Sequence, residues 1–156
     1  MKEYLPSQIR NVALVSHHGT GKTSLAEAAL FRTKAIARQG KIEEGSTALD
    51  FTAEEQQRRI SISLGLAPIE WKNQKINFID TPGYADFGGD LVSGLGAADA
   101  AVLGLKAPAG IEAGTEAVWE RIQERDCPVL CAVTQMDKEH ASFTKTIEGA
   151  SEKLGK

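Results

Sequence analysis

Residues 16–23 have the types and spacing needed to bind a phosphate. They read SHHGTGKT and follow the P-loop pattern GxxxxGK[ST], except that serine occupies the first position. Gly19 and Gly21 allow backbone amides to turn inward around a phosphate, which the N-terminus of a following helix also attracts. Lys22 is then expected to reach the β and γ phosphates. The Thr23 hydroxyl is expected to bind Mg²⁺, which prefers oxygen ligands.

A second phosphate motif is the sequence DTPG at residues 80–83. Asp80 ends an apolar strand and can hold Mg²⁺ through water, as the corresponding aspartate does in P-loop GTPases. Gly83 can offer its amide to the γ phosphate. Alone, DTPG is an ordinary turn sequence. Its position one hairpin beyond a phosphate loop favours the functional interpretation.

Composition and charge limit the possible functions. The chain has 156 residues, 42% hydrophobic and 25% charged, with a net charge of -3, which fits one globular domain with one core. Charges of both signs alternate along the chain, so neither direct DNA binding nor membrane binding is expected. Cys127 and Cys131 are expected to be buried free thiols, which suits the cytoplasm. A soluble, cytoplasmic monomer is predicted.

These motifs require strands and helices to position them. Apolar runs, helical spacing and turn residues predict an alternating order of elements. We expect strands at 11–16, 60–70, 75–79, 99–105 and 128–133, the last two buried, helices at 23–31, 113–124 and from near His140, and a long mobile loop at 38–59. This order indicates an α/β fold of the P-loop NTPase class. It has three α/β/α layers, a mostly parallel sheet and one antiparallel edge strand, and ligands bind at the carboxyl ends of the strands.

Four segments together resemble one protein family. They are SHHGTGKT at 16–23, RRISI at 58–62, DTPGYADF at 80–87 and TQMD at 134–137. Their order and spacing resemble the G domain of elongation factor G, a translational GTPase, and the resemblance covers nearly the whole chain. Peptide-chain release factor 3 is the nearest rival, because it also resembles this sequence in having serine at the start of the P-loop.

The resemblance assigns roles to residues of each motif. It implies that Ser61 ligates Mg²⁺ in the triphosphate state, together with Thr23 and Asp80. It implies that Asp137 accepts hydrogen bonds from the two adjacent donors of guanine and so selects GTP over ATP. The implied GTP- and GDP-binding residues are His17, His18, Gly19, Thr20, Gly21, Lys22, Thr23, Ser24, Asp80, Thr134, Gln135 and Asp137.

Four positions depart from the family pattern. Tyr84 stands where the family usually has a histidine that positions the attacking water. We therefore expect slow hydrolysis at a catalytic site made of Tyr84, Lys22 and Gly83, since positioning is most of what such a site contributes. Gly19 replaces an aspartate, Thr134 an asparagine and Gln135 a lysine that covers the base. These changes are expected to weaken guanine affinity and indicate a divergent elongation factor G paralogue.

The sequence leaves several functions open. One is a GTP-driven ribosomal switch, in which the later family domains contact the ribosome. Another is a regulatory module that binds guanine nucleotides with little hydrolysis, and a third is a P-loop kinase or ATPase, against which Asp137 counts. The resemblance also implies that residues 1–156 are a G domain incomplete at its C-terminus. Its final base-contacting loop and the later domains are expected to be absent.

Overall fold

The computed structural model describes residues 3–155 and contains one five-stranded sheet flanked by helices. The strands are β1 (Ile9–Val15), β2 (Gly65–Trp71), β3 (Gln74–Asp80), β4 (Ala100–Lys106) and β5 (Val129–Thr134). The helices are α1 (Lys22–Arg32), α2 (Ala53–Arg58), α3 (Gly88–Ala97), α4 (Ala113–Gln123) and α5 (Phe143–Leu154). Among the described residues, no helix has the length and apolar character that crossing a bilayer requires.

The strand order in the sheet is β2-β3-β1-β4-β5. β1 pairs in parallel with β3 and β4, and β4 with β5, whereas β2 is antiparallel to β3 at the edge. The predicted fold class is therefore confirmed. Because β1, β3, β4 and β5 are parallel, their carboxyl ends meet at one edge of the sheet, and the motifs that follow β1, β3 and β5 meet there as well.

Alternate residues of β1 face two different hydrophobic cores. Ala13 and Val15 belong to a cluster that includes side chains of α3, α4 and α5, whereas Leu14 belongs to a cluster with Ala26 and Leu30 of α1. This alternation follows from the two-residue repeat of a strand. The sheet is thus covered by helices on both faces. The buried central strand holds the start of the P-loop in a fixed position.

Two elements differ from the sequence predictions. α3 was not expected, because Gly88, Gly89, Gly94 and Gly96 lower the helix propensity of this segment. At Gly94 tertiary packing accounts for the residue, since a Cβ there would lie 2.8 Å from the Thr81 methyl group. β5 was predicted to be buried, but it is an edge strand. Its residues Leu130 and Cys131 are exposed, so the prediction of buried thiols is wrong for Cys131.

The segment between α1 and β2 is more ordered than the predicted loop. It contains α2, whose N-terminus is a capping box in which Thr52 accepts from the Glu55 amide and Glu55 accepts from the Thr52 amide. The other Glu55 oxygen accepts the amides of Ile62 and Ser63. These bonds hold residues 60–64 outside the sheet, so β2 begins at Gly65 and not at Ile60 as predicted.

A second carboxylate, that of Glu27 in α1, anchors the same segment. The side chain is fully buried, and its two oxygens accept the backbone amides of Gly40 and Ala48. Buried N–H groups are costly when they lose their acceptors. Glu27 therefore ties the loop that leads to α2 onto the helix that carries the P-loop lysine.

We expect Glu27→Ala to lower the free energy of unfolding by about 3 kcal/mol, because the buried Gly40 N–H and the partly buried Ala48 N–H lose a charged acceptor. Urea unfolding measures the change. Glu27→Gln, which keeps one oxygen acceptor, should lose less. The control Glu54→Ala removes an exposed ion pair with Arg58 and should cost below about 1 kcal/mol. Equal losses for Glu27→Ala and Glu54→Ala would contradict this role for Glu27.

Candidate functional site

The P-loop has the conformation that its glycines were predicted to allow. Gly19 and Gly21 have φ angles of +68° and +96°, in the left-handed region that side chains disfavour. The Thr20 hydroxyl donates to the His17 carbonyl at 2.7 Å, which closes the loop from inside. Ser16 is buried and has no positive φ, so serine is compatible with the first position of the motif.

Lys22 lies partly buried at the centre of this loop. Its Nζ atom lies 3.1 Å from Ser16 Oγ, and burial lowers the pKa of the ammonium despite the nearby carboxylates of Asp80 and Asp50. A Cβ on Gly83 would lie 2.7 Å from this Nζ and 2.7 Å from His18 Cα, and because the His18 backbone cannot move aside as a side chain can, the position favours glycine. Lys22 and the Gly83 backbone are thus adjacent, although they belong to different motifs of the sequence.

Three oxygen-bearing side chains meet beside Lys22. Thr23 Oγ1 donates to Asp80 Oδ2 at 2.6 Å and lies 3.1 Å from Ser61 Oγ. Burial raises the pKa of Asp80 to about 6, while the Thr23 hydroxyl and the Lys22 ammonium act in the opposite direction. Asp80 Oδ1 is buried and has no hydrogen-bond partner within residues 3–155. The three residues predicted as metal ligands therefore form one cluster.

The segment after β5 is tied to the P-loop by side-chain hydrogen bonds. Thr134 Oγ1 donates to the Thr20 carbonyl at 2.8 Å, and Gln135 Nε2 donates to the Gly19 carbonyl at 2.6 Å. Gln135 has a φ of 57°, which is uncommon for a residue other than glycine. Asp137 is exposed in the following turn. Thr134 and Gln135 thus hold the segment after β5 against the P-loop backbone, and the exposed Asp137 follows them in the turn.

A cavity of about 310 Å³ joins most of the predicted site residues. Those that line it are His18, Gly19, Gly21, Lys22, Thr23, Ser24, Ser61, Gly83, Tyr84 and Gln135. Thr20 and Asp80 are buried behind the cavity wall, and Thr134 contacts the P-loop through its hydroxyl. His17 and Asp137 do not line this cavity. The P-loop and the segments around Ser61 and Gly83 therefore share one pocket.

Comparison of this chain with known families agrees with the geometry. Residues 7–156 match the family model described as the elongation factor Tu GTP binding domain. The chain belongs to the elongation factor Tu GTP-binding domain family. Membership agrees with the presence of the glycine-containing loop after β1, Asp80 at the end of β3 and the segment TQMD after β5 at one edge of the sheet.

Two named relatives and one solved structure show which members of this family the chain is similar to. The chain is 36% identical over 150 residues to the elongation factor G-like protein of Mycobacterium tuberculosis, covering 96% of this chain and 21% of the relative. It is 38% identical over 149 residues to the mitochondrial ribosome-releasing factor 2 of Debaryomyces hansenii, covering 96% of this chain and 17% of that protein. A crystal structure of a Thermus thermophilus protein superposes with a TM-score of 0.92 at 39% identity, covering 96% of this chain and 22% of that one. The predicted elongation factor G-like character is confirmed.

The structure also adds two polar residues to the site: Asp50, which lies outside the sequence motifs, and Arg59, which belongs to the segment RRISI but was given no role. Asp50 and Arg59 line the same cavity as Lys22. Burial raises the pKa of Asp50, partly offset by the Ser61 hydroxyl. Arg59 has a φ of 58° and ends α2. Both lie in the segment predicted as a long mobile loop, where the capping sequence TAEE was the available signal for α2.

Proposed function

We propose that this chain binds GTP and hydrolyses it slowly, as the G domain of an elongation factor G-like translation factor. The observation that carries the proposal is the meeting of three sequence-distant segments around Lys22: the P-loop, the segment at Ser61 and the turn at Gly83. Such an arrangement can respond to the γ phosphate, because a third phosphate would contact all three segments at once.

The donor set suits Mg²⁺. Asp80 Oδ1 is buried without a partner among the described residues, the Thr23 hydroxyl bonds the other carboxylate oxygen, Oδ2, and Ser61 Oγ lies 3.1 Å from Thr23 Oγ1. The cluster thus offers the oxygen ligands that this ion prefers. Thr23 and Ser61 would hold the ion directly and Asp80 through water. When bound, Mg²⁺ neutralises charge on the β and γ phosphates. The hydrogen bond from Thr23 to Asp80 and the contact between the Thr23 and Ser61 hydroxyls hold these three side chains together.

Nucleotide selection is proposed to depend on Asp137, with Thr134 and Gln135 holding the segment against the P-loop. A carboxylate can accept hydrogen bonds from the two adjacent donors of guanine, and adenine lacks this pair. Because Gln135 donates to the Gly19 carbonyl, its amide is engaged with the loop. We infer that base recognition relies more on Asp137 here than it does where a lysine covers the base.

Slow hydrolysis is part of the proposal, because Tyr84 lines the cavity next to Gly83, at the position where the family usually has a histidine. A phenol is larger than an imidazole and lacks its ring-nitrogen acceptor. We expect Tyr84→His to raise the single-turnover rate of GTP hydrolysis about tenfold, somewhat below what a positioned general base contributes. Phosphate release with excess protein over GTP measures this rate.

The matched control is Tyr84→Phe, which keeps an aromatic ring and supplies no imidazole. Its rate should not exceed that of the unsubstituted chain. A Tyr84→His rate no higher than that of the unsubstituted chain would contradict the water-positioning explanation. The same residue favours a second candidate function, a guanine-nucleotide-binding regulatory module. That alternative predicts GTP binding by the unsubstituted chain with no phosphate release.

The chain spans about a fifth of the length of the relatives it matches. Coupling of GTP to the ribosome is therefore proposed for the longer protein type, with the ribosome as its partner through further domains. We propose residues 1–156 as the G domain part, acting as a monomer. The cytoplasm is the proposed compartment, which suits the two unpaired thiols of Cys127 and Cys131.

A further inference from the structure

Two aromatic rings from different motifs stack at the phosphate end of the cavity. His18 of the P-loop and Tyr84 of the DTPGY segment have ring centroids 4.3 Å apart and an interplanar angle of 16°. Stacking this close fixes both rings relative to each other. The P-loop thus contributes an imidazole next to the tyrosine that occupies the usual place of the family histidine.

The backbone brings this pair to the end of the cavity where the γ phosphate is expected. A Cβ on Gly83 would lie 2.7 Å from His18 Cα and 2.7 Å from Lys22 Nζ. The Gly83 backbone is therefore in close contact with both residues, and His18, Gly83 and Tyr84 all line the same cavity. With the γ phosphate between Lys22 Nζ and the Gly83 amide, as proposed above, the His18 imidazole would lie beside that phosphate.

A second set of contacts holds His18 from behind. The His17 ring lies 4.2 Å from the His18 ring, and His17 Nε2 lies 3.5 Å from Glu112 Oε1 at the start of α4. Burial and the neighbouring His17 lower the pKa of His18, with Glu112 acting in the opposite direction and Lys106 and Lys22 adding to the lowering. A neutral imidazole has one ring nitrogen that can accept a hydrogen bond. His18 can therefore act as an acceptor at neutral pH.

We propose that His18, held by its stack on Tyr84, positions the water that attacks GTP in this chain. The inference rests on the proposed GTP hydrolysis and names the group that performs the task of the missing histidine. In the step, the water oxygen forms a bond to the γ phosphorus while a ring nitrogen of His18 accepts a hydrogen bond from that water. The bond from the γ phosphorus to the β–γ bridging oxygen breaks, and its electron pair leaves with GDP. The proton lost by the water ends on the released phosphate.

The test compares variants by single-turnover GTP hydrolysis and by the Kd for a fluorescent GTP analogue. His18→Leu is expected to lower the rate about 100-fold, the low end of a general base contribution, while Kd changes less than about threefold. His18→Gln keeps a hydrogen-bond acceptor, so its hydrolysis rate should lie between that of His18→Leu and that of the unsubstituted chain. The control His140→Asn changes an exposed histidine and should hydrolyse GTP at the original rate. In the His18→Leu background, Tyr84→His should restore the rate, because it returns an imidazole to the usual position.

Each outcome separates this inference from the proposed function. Loss of rate with retained Kd, followed by rescue through Tyr84→His, supports the role of His18. An unchanged rate in His18→Leu overturns that role and leaves the proposed GTPase intact. If the original chain binds GTP and releases no phosphate, the role is also overturned and the regulatory module is favoured. Failure of the original chain to bind any guanine nucleotide would overturn the proposed function itself. Lost binding in His18→Leu alone would assign the side chain to affinity and overturn its positioning role.

Discussion

Replacing Lys22 with methionine is expected to lower the affinity for GTP and GDP about 1000-fold. The ammonium sits partly buried beside Ser16 Oγ and the Gly83 backbone, where burial already lowers its pKa. Hydrogen bonds to charged groups contribute roughly 1.5–3 kcal/mol each, so losing two to the phosphates corresponds to about three powers of ten. Methionine keeps an unbranched side chain as far as the ε carbon and removes the ammonium.

Titration with a fluorescent GDP analogue measures this loss. Without nucleotide, the Lys22→Met midpoint of thermal unfolding should stay within about 5 °C of the original, because Lys22 lines the cavity and does not belong to either hydrophobic core. The control Lys145→Met removes an exposed lysine of α5 and should leave the affinity unchanged. A folded Lys22→Met protein with the original affinity would exclude the P-loop as the phosphate site.

The second large effect is expected from Asp137→Asn, which should lower GTP affinity about 1000-fold and create affinity for xanthosine triphosphate. In the proposed complex the Asp137 carboxylate would accept two hydrogen bonds from guanine, whereas an amide offers one acceptor and one donor in their place. Xanthine carries an oxygen where guanine carries its amino group, so it matches the amide. Because Asp137 is exposed in the turn after β5, the substitution should not disturb the fold.

Competition between GTP and xanthosine triphosphate for a fluorescent nucleotide measures this change of preference. Asp126→Asn makes the same chemical change at an exposed turn before β5 and should alter neither affinity. If Asp137→Asn retains the original preference for GTP, Asp137 does not read the base. Recognition would then have to come from Gln135 or from residues that follow this chain in its longer relatives.

The phosphate-binding end of the site could be predicted from sequence because it depends on local backbone chemistry. Gly19 and Gly21 adopt the positive φ angles that their position implied, and Lys22 follows them into the loop. Ser61 could be joined to Thr23 only by resemblance, since 38 positions separate the two hydroxyls that lie 3.1 Å apart. The sheet was predictable because alternating strands and helices allow few connections.

Other features depended on tertiary contacts that no local pattern specifies. Hydropathy predicts that a glutamate is exposed, so it could not predict the full burial of Glu27. Glu27 is buried because its oxygens accept hydrogen bonds from amides 13 and 21 residues away. The glycine-rich α3 forms against its propensity, and at Gly94 close packing on Thr81 leaves no room for a side chain. The stack of His18 on Tyr84 joins two separate motifs. The sequence therefore showed the departure at Tyr84, but only the structure showed that His18 contacts it.

The central claim is that this chain is a guanine-nucleotide-binding G domain. Its most direct test is thermal unfolding with Mg²⁺ and GDP, GTP, ADP or ATP. Circular dichroism of the sample without nucleotide confirms that it is folded. At a hundred times Kd, a selective ligand stabilises the native state by about 2.7 kcal/mol. We predict that GDP and GTP raise the midpoint temperature of unfolding and that ADP and ATP leave it unchanged. Equal shifts with guanine and adenine nucleotides, or no shift in a folded sample, would contradict the claim.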